Sequence, residues 1–137
     1  MILHGDDLRP MLEALIGPIT PDSVTFGWHN GASVVCLVAF AHWSRGDIEI
    51  MGAARPGGIH RRMIRELARY AFDDLQCNHI TARVLTDNAP SIRLLERLGF
   101  VREGLQRKAQ DGRDQILFGL IQEDLRYVQR PKAAQAG

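Results

Sequence analysis

Residues 50–63 read IMGAARPGGIHRRM: an apolar run, two glycines, then a helix that opens on His60, Arg61 and Arg62. A helix start exposes unpaired N–H groups and the positive end of the helix dipole, so cations belong there only if an anion joins them or water screens them. A strand that enters a glycine turn and leaves as a helix is a general grip for phosphate, because glycine lets backbone N–H groups approach the anion closely. Arg55, Arg61, Arg62 and Arg65 would add countercharge. The loop lacks the Lys-Ser/Thr of a Walker A sequence and the spacing of the dinucleotide fingerprint GxGxxG. The same letters fit a plain strand-to-helix turn in which Gly58 supplies the conformation and the arginines are solvated. On this stretch alone both readings stand.

A second group of residues lies at 86–104, TDNAPSIRLLERLGFVREG. Asn88 is a good helix N-cap, Pro90 suits the first turn, and Gly99-Phe100 has the form of a left-handed helix stop followed by an apolar contact. Leu94, Leu95 and Leu98 mark a core face. For proton transfer the candidates are Glu49, on a strand between Ile48 and Ile50, and His42 at the end of the preceding strand. Each also fits a solvated strand residue. His29 and His79 read as structural.

The elements that must hold these groups follow from periodicity. Residues 6–16 predict a helix capped by Asp6 or Asp7 and stopped by Gly17-Pro18. Asn30-Gly31 between two apolar runs predicts a hairpin with a tight primed turn. The run around Val34 to Phe40 is apolar on both faces, which suggests a central strand. Residues 47–53 make the next strand, with Ile48 and Ile50 on one face and Glu49 and Met51 on the other. Ile59, Met63, Leu67, Ala71 and Leu75 recur at helical spacing over 59–75. A strand at 79–86, a helix at 89–98 and two strands at 100–107 and 115–122 around Asp111-Gly112 complete the order. This is a single α/β or α+β domain over residues 1–128, with 129–137 a disordered tail.

Composition sets outer limits. The 137 residues are enough for one domain with a real core, and 45% hydrophobic with 24% charged residues is ordinary for a soluble globular chain. A net charge of +1 gives no global reason to expect nucleic acid or an anionic membrane. Two cysteines without CxxC spacing, no apolar run near membrane-spanning length and two early aspartates where a signal peptide would be basic place the chain in the cytoplasm.

Taken in order, the motifs resemble the GNAT superfamily of N-acetyltransferases over about residues 22–125. In that family Arg or Gln, two residues, Gly, one residue, then Gly or Ala fill the loop between the fourth strand and the next helix. Arg55, Gly58 and His60 occupy those places, His60 standing where a small residue is usual. Asn88, Ser91, Glu96, Arg97, Gly99, Phe100, Glu103, Gly104 and the later Asp114 look most like the branch of ribosomal-protein N-terminal acetyltransferases.

The resemblance implies a mixed, mostly antiparallel sheet with a splayed parallel strand pair and flanking helices. It implies acetyl-CoA as cosubstrate, an amine acceptor and no metal. Gly57, Gly58, Ile59 and His60, with Arg55, Arg61 and Arg62, would bind the pyrophosphate. The main chain of Ile50, Met51 and Gly52 would line the pantetheine arm, which Asn88 would also hydrogen-bond; Arg97 is placed with these cofactor-binding residues. Many members carry a tyrosine acid where this chain has Leu95, so Ser91 is the substitute proton holder and Glu49 the base. Only about 20 residues precede SVTFGW, fewer than is usual in the family, which implies an open acceptor site, a large acceptor such as a protein N-terminus, or completion by a second subunit in a homodimer. The competing readings are a non-catalytic GNAT-fold module that binds coenzyme A or a partner, and a phosphate-binding protein of unrelated fold.

Overall fold

In the computed structural model, which describes residues 1–126, seven strands join one sheet. They are β1 (Ile2–His4), β2 (Val24–His29), β3 (Val34–Ser44), β4 (Asp47–Ala54), β5 (His79–Leu85), β6 (Val101–Gln110) and β7 (Arg113–Leu120). The sheet order is β1-β2-β3-β4-β5-β7-β6, and every neighbouring pair is antiparallel except β4 with β5. The expected tail at 129–137 and the domain limit at 128 lie outside the described residues.

Strand alternation assigns the two faces. Ile48 and Ile50 of β4 pack with Phe40, Ile80 and Phe118 in the main core, beneath α2 (Arg61–Ala68) and α3 (Ala89–Leu98), which contribute Leu67, Ile92, Leu95 and Leu98. Met51, one residue on, points to the other face and packs with Leu8, Leu12, Leu37 and Ala39 beside α1 (Arg9–Ile16). The period of two thus separates a helix-covered face from one that α1 covers only in part. No helix among the described residues is long and apolar enough to cross a membrane.

Several local expectations are corrected. The β2–β3 connection is a four-residue loop rather than a two-residue primed turn. Asn30 Oδ1 accepts the N–H groups of Ala32 and Ser33 at 2.9 and 3.0 Å, and in this loop only Gly31 has positive φ. This is an Asx-type turn, which the Asn side chain builds for itself. Neither Asp6 nor Asp7 caps α1; they lie in a 3-10 turn, Asp6–Leu8, that runs directly into the helix.

The helix expected at 59–75 begins later and changes pitch. α2 ends at Ala68, and Arg69–Asp74 continues as a π-helical turn, with Leu75 N–H donating to Tyr70 O at 2.9 Å. The wider turn puts adjacent Ala71 and Phe72 both into the core. β1 carries no signal in the sequence, because three residues are too few to show a period.

Candidate active site

β4 and β5 pair over three positions only, Asp47↔His79, Ile48↔Ile80 and Glu49↔Thr81, and beyond Glu49 they part. β4 stays paired to β3 as far as Ala54, and Arg55 N–H donates to Val35 O at 2.9 Å. Antiparallel ladders alternate, so Met51 and Ala53 direct their backbone groups to β3, whereas those of Ile50, Gly52 and Ala54 face the gap. Gly52 and Ala54 are exposed although β4 is a central strand. A row of unpaired amides inside a sheet is rare, because buried backbone groups need partners. It suits an extended ligand that carries amides of its own.

At the mouth of the gap the chain turns through residues 55–60 into α2. The conformational work falls to Gly57, with φ +74, rather than to Gly58. Gly58 is needed for space: a Cβ there would collide with the Val35 carbonyl oxygen and lie 2.9 Å from that of Arg55. His60 caps α2, its Nδ1 accepting the Arg62 N–H at 3.0 Å, and its ring stacks on Trp28 with centroids 4.5 Å apart. An accepting Nδ1 fixes the neutral tautomer with its proton on Nε2. With Arg62 N–H occupied and Met63 fully buried, that of Arg61 remains as the exposed donor of the first helical turn. Among the described residues Arg55, Arg61, Arg62 and Arg65 have no acidic partner, whereas Arg69, farther along, pairs with Glu66 at 2.7 Å. A cavity of about 170 Å³ lies against Trp28, Val35, Gly57, Gly58 and His60.

The opposite lip of the gap is the start of α3. Asn88 caps it, Oδ1 accepting Ser91 N–H at 3.3 Å, which leaves the Asn88 amide donors exposed for a ligand. Ser91 lies in the first turn and is half-buried. Leu95 is committed to core packing. Arg97 stands in the last turn of α3, about 13 Å along the axis from Asn88 at 1.5 Å per residue, so the structure does not gather it with the loop.

The two base candidates are brought together. His42 Nδ1 lies 2.8 Å from Glu49 Oε1, and Arg83 Nε lies 3.7 Å from Oε2. The Glu49 side chain is 12% exposed and that of His42 54%, so a recessed carboxylate meets an imidazole open to water. His42 sits at a bulge between Ala41 and Ser44 with φ +56, a conformation that re-aims its side chain. The spacing of seven residues across a hairpin was the available signal for this pair. Glu49 occupies the last paired position before the gap and faces the α1 side, while Ser91 belongs to the helix on the other side.

A further polar group gathers around His79, which the sequence reads as structural. His79 Nδ1 meets Asp47 Oδ1 at 2.7 Å and Nε2 meets Glu103 Oε1 at 2.9 Å, with Thr81 Oγ1 donating to Asp47 Oδ1 at 2.8 Å. Partial burial pulls the His79 pKa down, but the hydrogen bonds and charges of Asp47 and Glu103 outweigh it, and the net shift is upward. Among the described residues no three His, Cys, Asp or Glu side chains gather to hold a metal ion.

A sheet opened by one splayed parallel pair, with an anion-ready loop on one lip and a capped helix on the other, defines the fold and cleft of the N-acetyltransferase class. Residues 27–101, over half of the chain, match the family model of the acetyltransferase (GNAT) domain, and the chain belongs to that family. It is 34% identical over 71 residues to the uncharacterized N-acetyltransferase p20 of Bacillus licheniformis, covering 49% of this chain and 40% of p20. It is 36% identical over 74 residues to the SPbeta prophage-derived uncharacterized N-acetyltransferase YokL of Bacillus subtilis (strain 168), covering 51% and 42%. The chain thus spans less than half the length of these curated relatives.

Solved structures agree on the fold. A T. thermophilus protein assigned as an acetyltransferase superposes with TM-score 0.68 at 26% identity, over 82% of this chain and 64% of that one. The spermidine/spermine N-acetyltransferase SpeG of Vibrio cholerae superposes with TM-score 0.73 at 16% identity, over 90% and 95%. The ribosomal-protein-S5-alanine acetyltransferase of Vibrio fischeri gives 0.64 at 22% identity, over 76% and 64%.

Proposed function

We propose that the chain is an N-acetyltransferase that moves the acetyl group of acetyl-CoA to a primary amine by direct attack. The observation that carries this reading is the opening of β4 from β5 immediately beyond Glu49, with the amides of Ile50, Gly52 and Ala54 turned into the gap. Those amides fit the amide-bearing pantetheine arm, and the Arg61 N–H with the side chains of Arg55, Arg61 and Arg62 fits the pyrophosphate. One N–H from Ile50 or Gly52 would polarise the thioester carbonyl, whereas that of Met51, also expected from the sequence, is directed to β3; a donor of this kind is typically worth about 10²–10³ in rate.

The amine approaches from the α1 side, where Glu49 takes its proton as the C–N bond forms and His42 holds the carboxylate in place. The C–S bond breaks on the α3 side, where Ser91 or a water it holds returns a proton to the thiolate. Base and acid on opposite faces of one gap keep the two proton movements apart.

The acceptor is a protein N-terminus or a small amine. Structural neighbours include both a ribosomal-protein acetyltransferase and a polyamine acetyltransferase, and their likeness supports the fold of either. A homodimer is the assembly this reading favours, since α1 leaves Met11, Leu15 and Ile16 exposed beside an open sheet face. Cys36 and Cys77 are buried free thiols, which supports a reducing compartment such as the cytoplasm.

A second reading, a GNAT module that binds coenzyme A without transfer, is favoured by one observation: Leu95 fills the tyrosine position and is locked into the core. Thiol release from acetyl-CoA across a panel of amines and peptides separates the two. Acceptor-dependent release supports the enzyme; tight binding with no release across the panel supports the module.

A further inference from the structure

We propose that Asp47, His79 and Glu103 form an ionic clip that pins the closed end of the β4/β5 cleft and so sets how firmly the chain holds acyl-CoA; the second half of this statement rests on the function proposed above. The cleft has a single hinge line, the three paired positions at its base. Asp47 and His79 are the two members of the first pair, and Thr81 belongs to the third, so side chains on one face lace the whole paired stretch. Glu103 ties this lacing to a third strand, β6, which is not a neighbour of β5 in the sheet.

Two features of the chain allow this reach. Glu103 lies at a bulge where the β6–β7 register shifts between Arg102 and Gly104. Its side chain then passes over β7 at Gly119, where a Cβ would occupy the place of the Glu103 carboxylate. The Glu103-Gly104 pair therefore acquires a role: the bulge aims the arm and Gly119 lets it cross. Asp47 from β4 and Glu103 from β6 are the charged groups that face His79; β7 contributes Gly119 and no charge, and the Cys77 thiol lies beyond Asp47.

Gly119→Ala tests the clip without touching a titratable group, because only the flexible end of Glu103 must move. Glu103→Gln is the second variant, nearly isosteric and uncharged. Backbone amide exchange in the ligand-free chain and the Kd for coenzyme A are measured for wild type, both variants and their combination. The clip predicts faster exchange at residues 47–49 and 79–81 in each variant and Kd raised about 2- to 5-fold, the range of partly exposed ion pairs. It also predicts that the combination is no weaker than either single variant. Unchanged exchange in both variants overturns the clip. Faster exchange with unchanged Kd in a chain that binds coenzyme A overturns its link to affinity. Faster exchange in a chain that does not bind coenzyme A upholds the clip and overturns the acyl-CoA reading.

Discussion

Trp28 and His60 stack nearly parallel, 11° between ring planes, and the same imidazole caps α2 through Nδ1. A residue that looks too bulky for a pyrophosphate loop is thereby folded back onto β2, out of the turn it terminates. Its ring docks the loop to the sheet as a smaller residue would not.

His60→Ala removes cap and stack together. Loss of an N-cap costs about 0.5–2 kcal/mol and an aromatic pair contributes about 0.5–1.5 kcal/mol, so the melting temperature should drop by several degrees. His60→Ser restores a capping oxygen and should recover part of the loss. Melting temperatures for wild type and both variants check this; equal stability of all three would show that the cap and stack are idle.

Gly58→Val should abolish binding of coenzyme A, because the side chain is driven against the Val35 carbonyl of β3 and the Arg55 carbonyl of the loop and must displace the loop from the sheet edge. For wild type, ligand at ~100 times its Kd adds roughly 2.7 kcal/mol of stability. That thermal shift should vanish in the variant. A preserved shift would mean that the loop is not the binding element.

Glu49→Gln should lower kcat by about 10²–10⁴, the usual range for a general base, with little change in KM for acetyl-CoA. His42→Ala should have a smaller effect on kcat, since it orients the carboxylate without touching the amine. Ser91→Ala should cost about tenfold or less, because coenzyme A thiolate leaves readily. Steady-state kinetics with the best acceptor of the panel would check all three, and a Glu49→Gln enzyme of wild-type kcat would remove Glu49 from the chemistry.

The pH dependence of stability has a definite sign. The folded-state pKa of His79 is raised, so its protonated form is favoured by folding. Its contribution is fully present below the unfolded value, near 6.5, and is lost as pH rises through the folded pKa. Wild type should therefore lose stability relative to His79→Gln between about pH 6.5 and the alkaline end of the His79 titration. Urea midpoints at several pH values measure this. A difference that stays constant across that window would mean His79 carries no folding-linked proton.

Much of this was legible in the letters because it is local. Strand alternation in β4 put Glu49 and Met51 on one face, and Asn88, Pro90 and Gly99 fixed the limits of α3. The glycine loop could be placed, yet the division of labour between Gly57 and Gly58 depends on Val35, more than twenty residues away. The π turn after Ala68 follows from packing Ala71 and Phe72 into one core, which a helical period does not register. Pairings across strands were hardest to see. His79 with Asp47 and Glu103 needs the parallel register, the β6 bulge and the absent side chain at Gly119 all at once.

Acyl-CoA seated between β4 and β5 would be seen at once by backbone amide NMR during titration with acetyl-CoA. The largest shifts are expected at Ile50, Gly52 and Ala54, at residues 57–63 and at the start of α3 around Asn88 and Ser91. Saturating acetyl-CoA with those amides unmoved, or shifts gathered on the β6 edge instead, would contradict that seating.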